Sequence, residues 1–157
     1  MTSVTLAPYT SDQRDALCAL AVGPEQERFS SQPRLLLNSS QDGVDVHLIY
    51  VDATLVGMFR IDRDFSREHP QVPSGACGLR SMIVDQRHQG RGIGTAMIRA
   101  LPAYMAQRYP QATQIYLTVN LRNPGARRSY LNGGFTDTGE HYMGGDAGPQ
   151  HILRMGL

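Results

Sequence analysis

Apolar positions along this chain follow two periods. Alternating or continuous apolar runs at residues 46–51, 55–61, 78–84, 115–119 and 151–155 predict strands. Residues 4–8 form a short apolar start that reads as an edge strand, and Phe135 opens a further strand. Helical spacing appears at 12–21, with Ala16, Leu17, Ala19 and Leu20 on one side and Thr10 or Ser11 as cap. It appears again after residue 92, through Ile93, Ala96, Met97, Ala100 and Leu101. A third helix starts at Asn123-Pro124, a cap followed by proline at the first helical position, and stops at Gly133-Gly134.

The breaks in the pattern are equally informative. Gly23-Pro24 ends the first helix. Residues 25–42 offer only Phe29 and 35–37 as anchors, which suggests a second short helix and a mobile loop. Asp52-Ala53-Thr54 joins two strands as a hairpin, and Gly57 inside the second one implies a bulge or a close backbone contact. Residues 62–74 and 140–150 read as loops. Pro102 lies within the long helical pattern and predicts a kink or break near 98–101, with helix resuming to about residue 108. A hairpin region followed by β-helix-β-helix-β predicts one α/β domain over 1–157, a mixed sheet with helices on its faces.

One segment carries candidate chemistry. Met82-Ile83-Val84 ends a strand, and Gly90, Gly92 and Gly94 follow at alternate positions before a helix begins. Glycine permits φ > 0 and close approach of a ligand to the backbone. The first N–H groups of a helix lack intrahelical partners and sit at the positive end of its dipole. Such a unit suits phosphate, and Arg87 and Arg91 add positive charge. A tight strand-to-helix turn that binds nothing would have the same spacing. A Walker A loop is excluded because the chain contains no lysine. The dinucleotide fingerprint G-x-G-x-x-G/A fails too, since its last position falls on Thr95 or Met97.

Composition narrows the classes. A length of 157 residues suits one domain with a real core, and the formal charge of +1 provides no bulk field for nucleic acid or an anionic membrane. Cys18 and Cys77 lie outside any C-x-x-C and read as free thiols of a reducing compartment. No signal peptide or membrane-length apolar run is present, so a cytoplasmic protein is expected. The five histidines have no metal-ligand spacing, and no metal is expected.

The pattern Q/R-x-x-G-x-G/A, met by Gln89, Gly92 and Gly94, resembles the acetyl-CoA pyrophosphate loop of the GNAT family of N-acetyltransferases. Downstream, Asn123-x-x-Ala126-x-x-x-Tyr130-x-x-x-Gly134-Phe135 resembles the C-terminal part of that family. The two motifs occur in the right order on consecutive β-α units. The resemblance implies a GNAT-like α/β (α+β) fold, a mixed, mostly antiparallel sheet with helices on both faces. It implies that Met82, Ile83 and Val84 hold the pantetheine arm through backbone groups. Gln89, Gly90, Arg91, Gly92, Ile93, Gly94 and Thr95 would then bind the pyrophosphate, with Asn123 and Ala126 near the pantetheine. Tyr130 would stand near the thioester sulfur. Ser129 departs from the large apolar residue that the family usually has before this tyrosine.

The resemblance further implies direct acetyl transfer from acetyl-CoA to a primary amine, with Tyr130 as acid to the departing thiolate. The acceptor is a small-molecule or peptide amine. Asp85, Gln89 and Thr138-Gly139-Glu140 faintly resemble polyamine and diamine acetyltransferases. Many relatives dimerise, so a homodimer fits. Some relatives carry an acidic base where this chain has Thr118, and threonine cannot do that job. Asp62, Asp64, Glu68, Glu140 and His141 are the substitutes in flanking loops, and Asp85 is expected to brace the glycine turn. Cys77 as an acyl-carrying nucleophile is a remote alternative. Other readings are a protein N-terminal or lysine acetyltransferase, a longer acyl donor, and a non-catalytic acetyl-CoA sensor.

Overall fold

Every predicted strand is present in a computed structural model of the protein, which describes residues 3–24, 31–38, 42–145 and 147–157. They are β1 (Thr5–Pro8), β2 (Val44–Val51), β3 (Thr54–Asp62), β4 (Cys77–Val84), β5 (Gln114–Asn120), β6 (Thr136–Tyr142) and β7 (Gln150–Gly156). They form one seven-stranded sheet in the order β1-β2-β3-β4-β5-β7-β6. All neighbours are antiparallel except β4 and β5, which are parallel.

Alternation sorts the strand residues onto two faces. Phe59, Ile61, Leu79, Ile115, Leu117 and Leu153 meet α3 (Ile93–Arg108) and α4 (Pro124–Gly133) in the main core. Leu48, Met58 and Ile83 point the other way, to α1 (Arg14–Cys18) and α2 (Pro33–Asn38), through Leu17 and Leu36. A third cluster on that second face joins Phe65 and Val72 to Tyr116 and Ile152. Gly57 behaves as expected: a Cβ there would stand 2.3 Å from the Ile83 carbonyl oxygen. Gly133 likewise lets α4 approach α3, since its Cβ would meet Ile98 at 2.3 Å.

Three expectations need correction. The helix over 12–21 shrinks to a 3-10 turn at Ser11–Gln13 followed by α1. Asp85 explains the early stop: its carboxylate accepts from the Ala21 N–H at 2.9 Å, and the Ala21 carbonyl accepts from Gln86 N–H, so the chain is drawn into tertiary bonds. Pro102 does not break α3, which runs without interruption from Ile93 to Arg108. Buried Met97, Ile98, Leu101, Tyr104 and Met105 on both sides of the proline hold the helix to the sheet. The loop over 140–150 is shorter than its composition suggests, because His141 and Tyr142 pair with His151 and Gln150. The short helix expected within 25–42 is α2; the mobile loop falls mostly at 25–30 and 39–41, outside the described residues.

A buried polar chain ties the end of α3 to β2. Tyr109 donates to Asp45 at 2.7 Å, so its oxygen accepts from His47 Nε2–H at 2.8 Å. His47 Nδ1 is left to accept from the Tyr104 hydroxyl at 2.5 Å. His47 is 4% exposed, and burial is the main reason its pKa falls from 6.5 to about 4. The unfolded chain therefore binds this proton in preference to the folded one between those values. Stability from this group is complete above pH 6.5 and is lost as pH falls toward 4. Its size is about 3 kcal/mol. Urea unfolding at pH 7 and pH 5 should show this loss, and His47→Gln should flatten the pH slope. An equal slope in the variant would remove His47 as its source.

Candidate active site

The site originates where two strands part. β4 and β5 pair only at Cys77–Ile115 and Gly78–Tyr116, and beyond them the β5-facing edge of β4 has no strand partner. At the same place β4 is bulged: Arg60 of β3 faces Arg80, Met58 faces Ile83, and the register shifts between them. Ser81 takes φ 55°, a left-handed conformation that costs a non-glycine residue roughly 1 kcal/mol. The bulge resets the alternation. Met82 and Val84 pack against the main core, while Ile83 faces α1 and α2.

The gap widens into a cavity of about 790 Å³. Its walls are Ser81 to Val84 of β4, the turn that opens α3, Thr118 to Asn120 of β5, and α4 from Asn123 to Tyr130. Every residue expected in the site lines it except Arg91, which faces a second groove with Arg99 and hydrogen-bonds His88 at 2.8 Å. Gly90 and Gly92 have φ of 78° and 75°, so glycine is required at both bends. Among the described residues, the amides of Gly92, Ile93, Gly94 and Thr95 donate to no protein acceptor. Those amides at the positive end of a 16-residue helix fit a diphosphate, and the unpaired edge of β4 fits an amide-bearing arm. Gln89 lines the cavity but also braces the turn, donating to the Val84 carbonyl at 3.2 Å. Asp85, 1% exposed, holds Arg87 at 2.6 Å and performs the bracing role expected of it.

On the opposite wall, Asn123 caps α4, its Oδ1 accepting from Ala126 N–H at 3.4 Å. Tyr130 packs edge-on against Phe135 with ring centroids 5.8 Å apart. Its hydroxyl has no protein partner among the described residues, and burial pushes its pKa up to about 12. The Ser129 hydroxyl turns back to the Gly125 carbonyl at 3.3 Å.

Sequence reasoning missed Asn120, Ala147 and Gln150. Asn120 accepts from Arg122 N–H and donates to the Ala147 carbonyl, which draws the β6–β7 connection over the cavity. An asparagine directly after a β run is an Asx-turn signal that could have revealed it. None of the five candidate bases lines the cavity. Asp62 is buried against Arg80 at 2.9 Å, Glu68 pairs with the same arginine at 2.8 Å, and Asp64 binds Ser66. Glu140 and His141 are exposed on β6. Cys77 is buried away from the cavity and its thiol is pushed up by burial, the opposite of an activated nucleophile. Among the described residues no group of three or more His, Cys, Asp or Glu side chains could hold a metal.

A splayed parallel strand pair, a bulged edge and a glycine turn feeding a helix together form a cleft suited to a long ligand that carries phosphate. The sequence model of the Acetyltransferase (GNAT) family matches residues 9–135, and the chain belongs to that family as an acetyl-CoA-dependent N-acetyltransferase. It is 27% identical to a spermine/spermidine N(1)-acetyltransferase of Bacillus subtilis over 151 residues, covering 92% of this chain and 95% of that one. It is 28% identical to the uncharacterized N-acetyltransferase YbbJ of the same organism over 155 residues, covering 96% and 95%. The fold is similar to that of AAC(6')-Ib in complex with ribostamycin and coenzyme A, at a TM-score of 0.77 and 19% identity, covering 98% and 93%. It is also similar to a chimeric spermidine N-acetyltransferase from Vibrio cholerae and hSSAT, at 0.68 and 18%, covering 98% and 95%.

Gly92→Val forces a β-branched residue into φ 75° at the mouth of the turn. Calorimetry should show acetyl-CoA affinity reduced by about tenfold or more, with Gly92→Ala shifted less in the same direction. Unchanged affinity in a folded Val variant would contradict the role of this turn.

Proposed function

We propose that the protein transfers the acetyl group of acetyl-CoA directly to the primary amine of a small molecule, within a ternary complex. Tyr130 is the proton donor to the departing thiolate. The observation that carries this reading is the unpartnered Tyr130 hydroxyl on the cavity wall.

Amides of Gly92 to Thr95 take the diphosphate, and the free edge of β4 takes the pantetheine arm. A backbone N–H at the bulged end of β4 is the donor for the developing oxyanion. The amine nitrogen forms its bond to the carbonyl carbon as the carbon–sulfur bond breaks. The sulfur takes a proton from Tyr130, and the proton leaving the nitrogen restores the phenol through solvent. With a pKa of about 12, Tyr130 stays protonated throughout the physiological range. An ordinary thiol titrates near ~8.5, but the burial that raises the phenol also raises a thiol beside it, which narrows the mismatch. Small amines are favoured as acceptors by the polyamine acetyltransferase that this chain resembles over most of its length. The free thiols Cys18 and Cys77 support a cytoplasmic location.

Thiol release from acetyl-CoA against an amine panel tests the reading. Turnover with a small amine is expected; tight acetyl-CoA binding without turnover would mark a sensor instead. Tyr130→Phe should lower kcat by about 10²-fold or more while acetyl-CoA affinity changes little. Normal kcat in this variant would remove Tyr130 from the acid role.

A further inference from the structure

The face of the sheet behind Tyr130 is filled by α3 and α4, which leaves the opposite face of the β4 bulge for an approaching amine. That face carries two separate apolar clusters, one under α1 and α2 and one under Phe65 and Val72. The strip between them is polar. Arg60 and Arg80 sit on it side by side, paired across β3 and β4. Thr118 shares the face with Tyr116 and lines the cavity.

The two arginines differ in their partners. Arg80 is held by Asp62 at 2.9 Å and Glu68 at 2.8 Å. Asp62 also lies 3.8 Å from Arg67. Arg60 is half-buried, yet its only hydrogen bonds among the described residues go to the neutral Ser81 hydroxyl, at 2.9 Å from Nη2 and 3.3 Å from Nε. Among the described residues no carboxylate is in direct contact with it. Its pKa is lowered by burial first and by the nearby Arg80 second, while Asp62 and Glu68 offset part of this from a distance. Buried cations are normally paired, and a guanidinium offers five donors in a fork matched to a carboxylate. Ser81 itself lines the cavity and Arg60 stands behind it, so the guanidinium is one hydroxyl away from the cavity wall.

We propose that Arg60 recognises a carboxylate on the acceptor, so that the amine acetylated here is borne by an amino-acid-type small molecule rather than a simple polyamine. This rests on the reading of the cavity as an N-acetyltransferase site. Arg60 is a specificity-determining residue in this account: it touches the acceptor and takes no part in proton transfer. A polyamine would bring further positive charge beside Arg60, whose direct hydrogen bonds among the described residues go to a neutral hydroxyl, and like charges in contact are unfavourable.

The test compares amino acids with their decarboxylated amines, such as lysine with 1,5-diaminopentane and ornithine with 1,4-diaminobutane, and includes spermidine. In the wild-type protein at least one carboxylated acceptor should exceed its decarboxylated partner in kcat/KM by about tenfold or more. Arg60→Gln should collapse that ratio through KM for the carboxylated acceptor, and Arg60→Lys should restore part of it. A thermal melt checks that each variant folds. A structural role for Arg60 would lower both members of a pair alike and leave the ratio intact, which would overturn the proposal. So would preference for spermidine or the diamines. Absence of thiol release with every amine would count against the enzyme reading itself. In that case titration of the same amino acids into coenzyme A-loaded protein decides this inference. Binding that Arg60→Gln abolishes supports it, and no binding overturns it.

Discussion

Two parallel strands that stop pairing are the constraint on which this molecule depends. β4 and β5 share hydrogen bonds for only two residue pairs, and the remaining edge of β4 lies inside the fold without a strand beside it. Backbone polar groups in such a place need partners. A bulge at Ser81 and a glycine turn at Gly90 to Gly94 extend the same condition, presenting amides that the fold does not use. The cavity between the strands exists because the sheet was left incomplete there.

The two faces of the sheet then divide the chemistry. α3 and α4 fill one face and bring Tyr130 to the cavity wall, with Phe135 fixing its ring. The other face carries a polar strip with three arginines against two carboxylates among the described residues. The glycine turn and Tyr130 belong to the helical side of the sheet, while Arg60, Arg80 and Thr118 belong to the opposite face.

Much of this was legible in the sequence where function is encoded locally. Gly90, Gly92 and Gly94 announce a turn that needs positive φ, and Asn123-Pro124 announces a helix start, so both halves of the binding wall could be read from spacing. Asp62 and Glu68 looked like candidate bases because sequence gives no view of the arginines that neutralise them. The Ser81 bulge was invisible, since serine carries no signal for a left-handed residue in mid-strand. Tertiary contacts overruled local propensity three times: Asp85 cut α1 short, core packing carried α3 through Pro102, and β7 drew polar His141 and Tyr142 into β6. Asn120 and Ala147 meet only when the last hairpin closes.

Amide hydrogen exchange with and without coenzyme A tests the central claim most directly. Exchange should slow at Met82 to Val84 on the free edge of β4 and at Gly92 to Thr95 in the turn, and nowhere else to the same extent. Unaltered exchange at both segments under saturating coenzyme A would contradict the account.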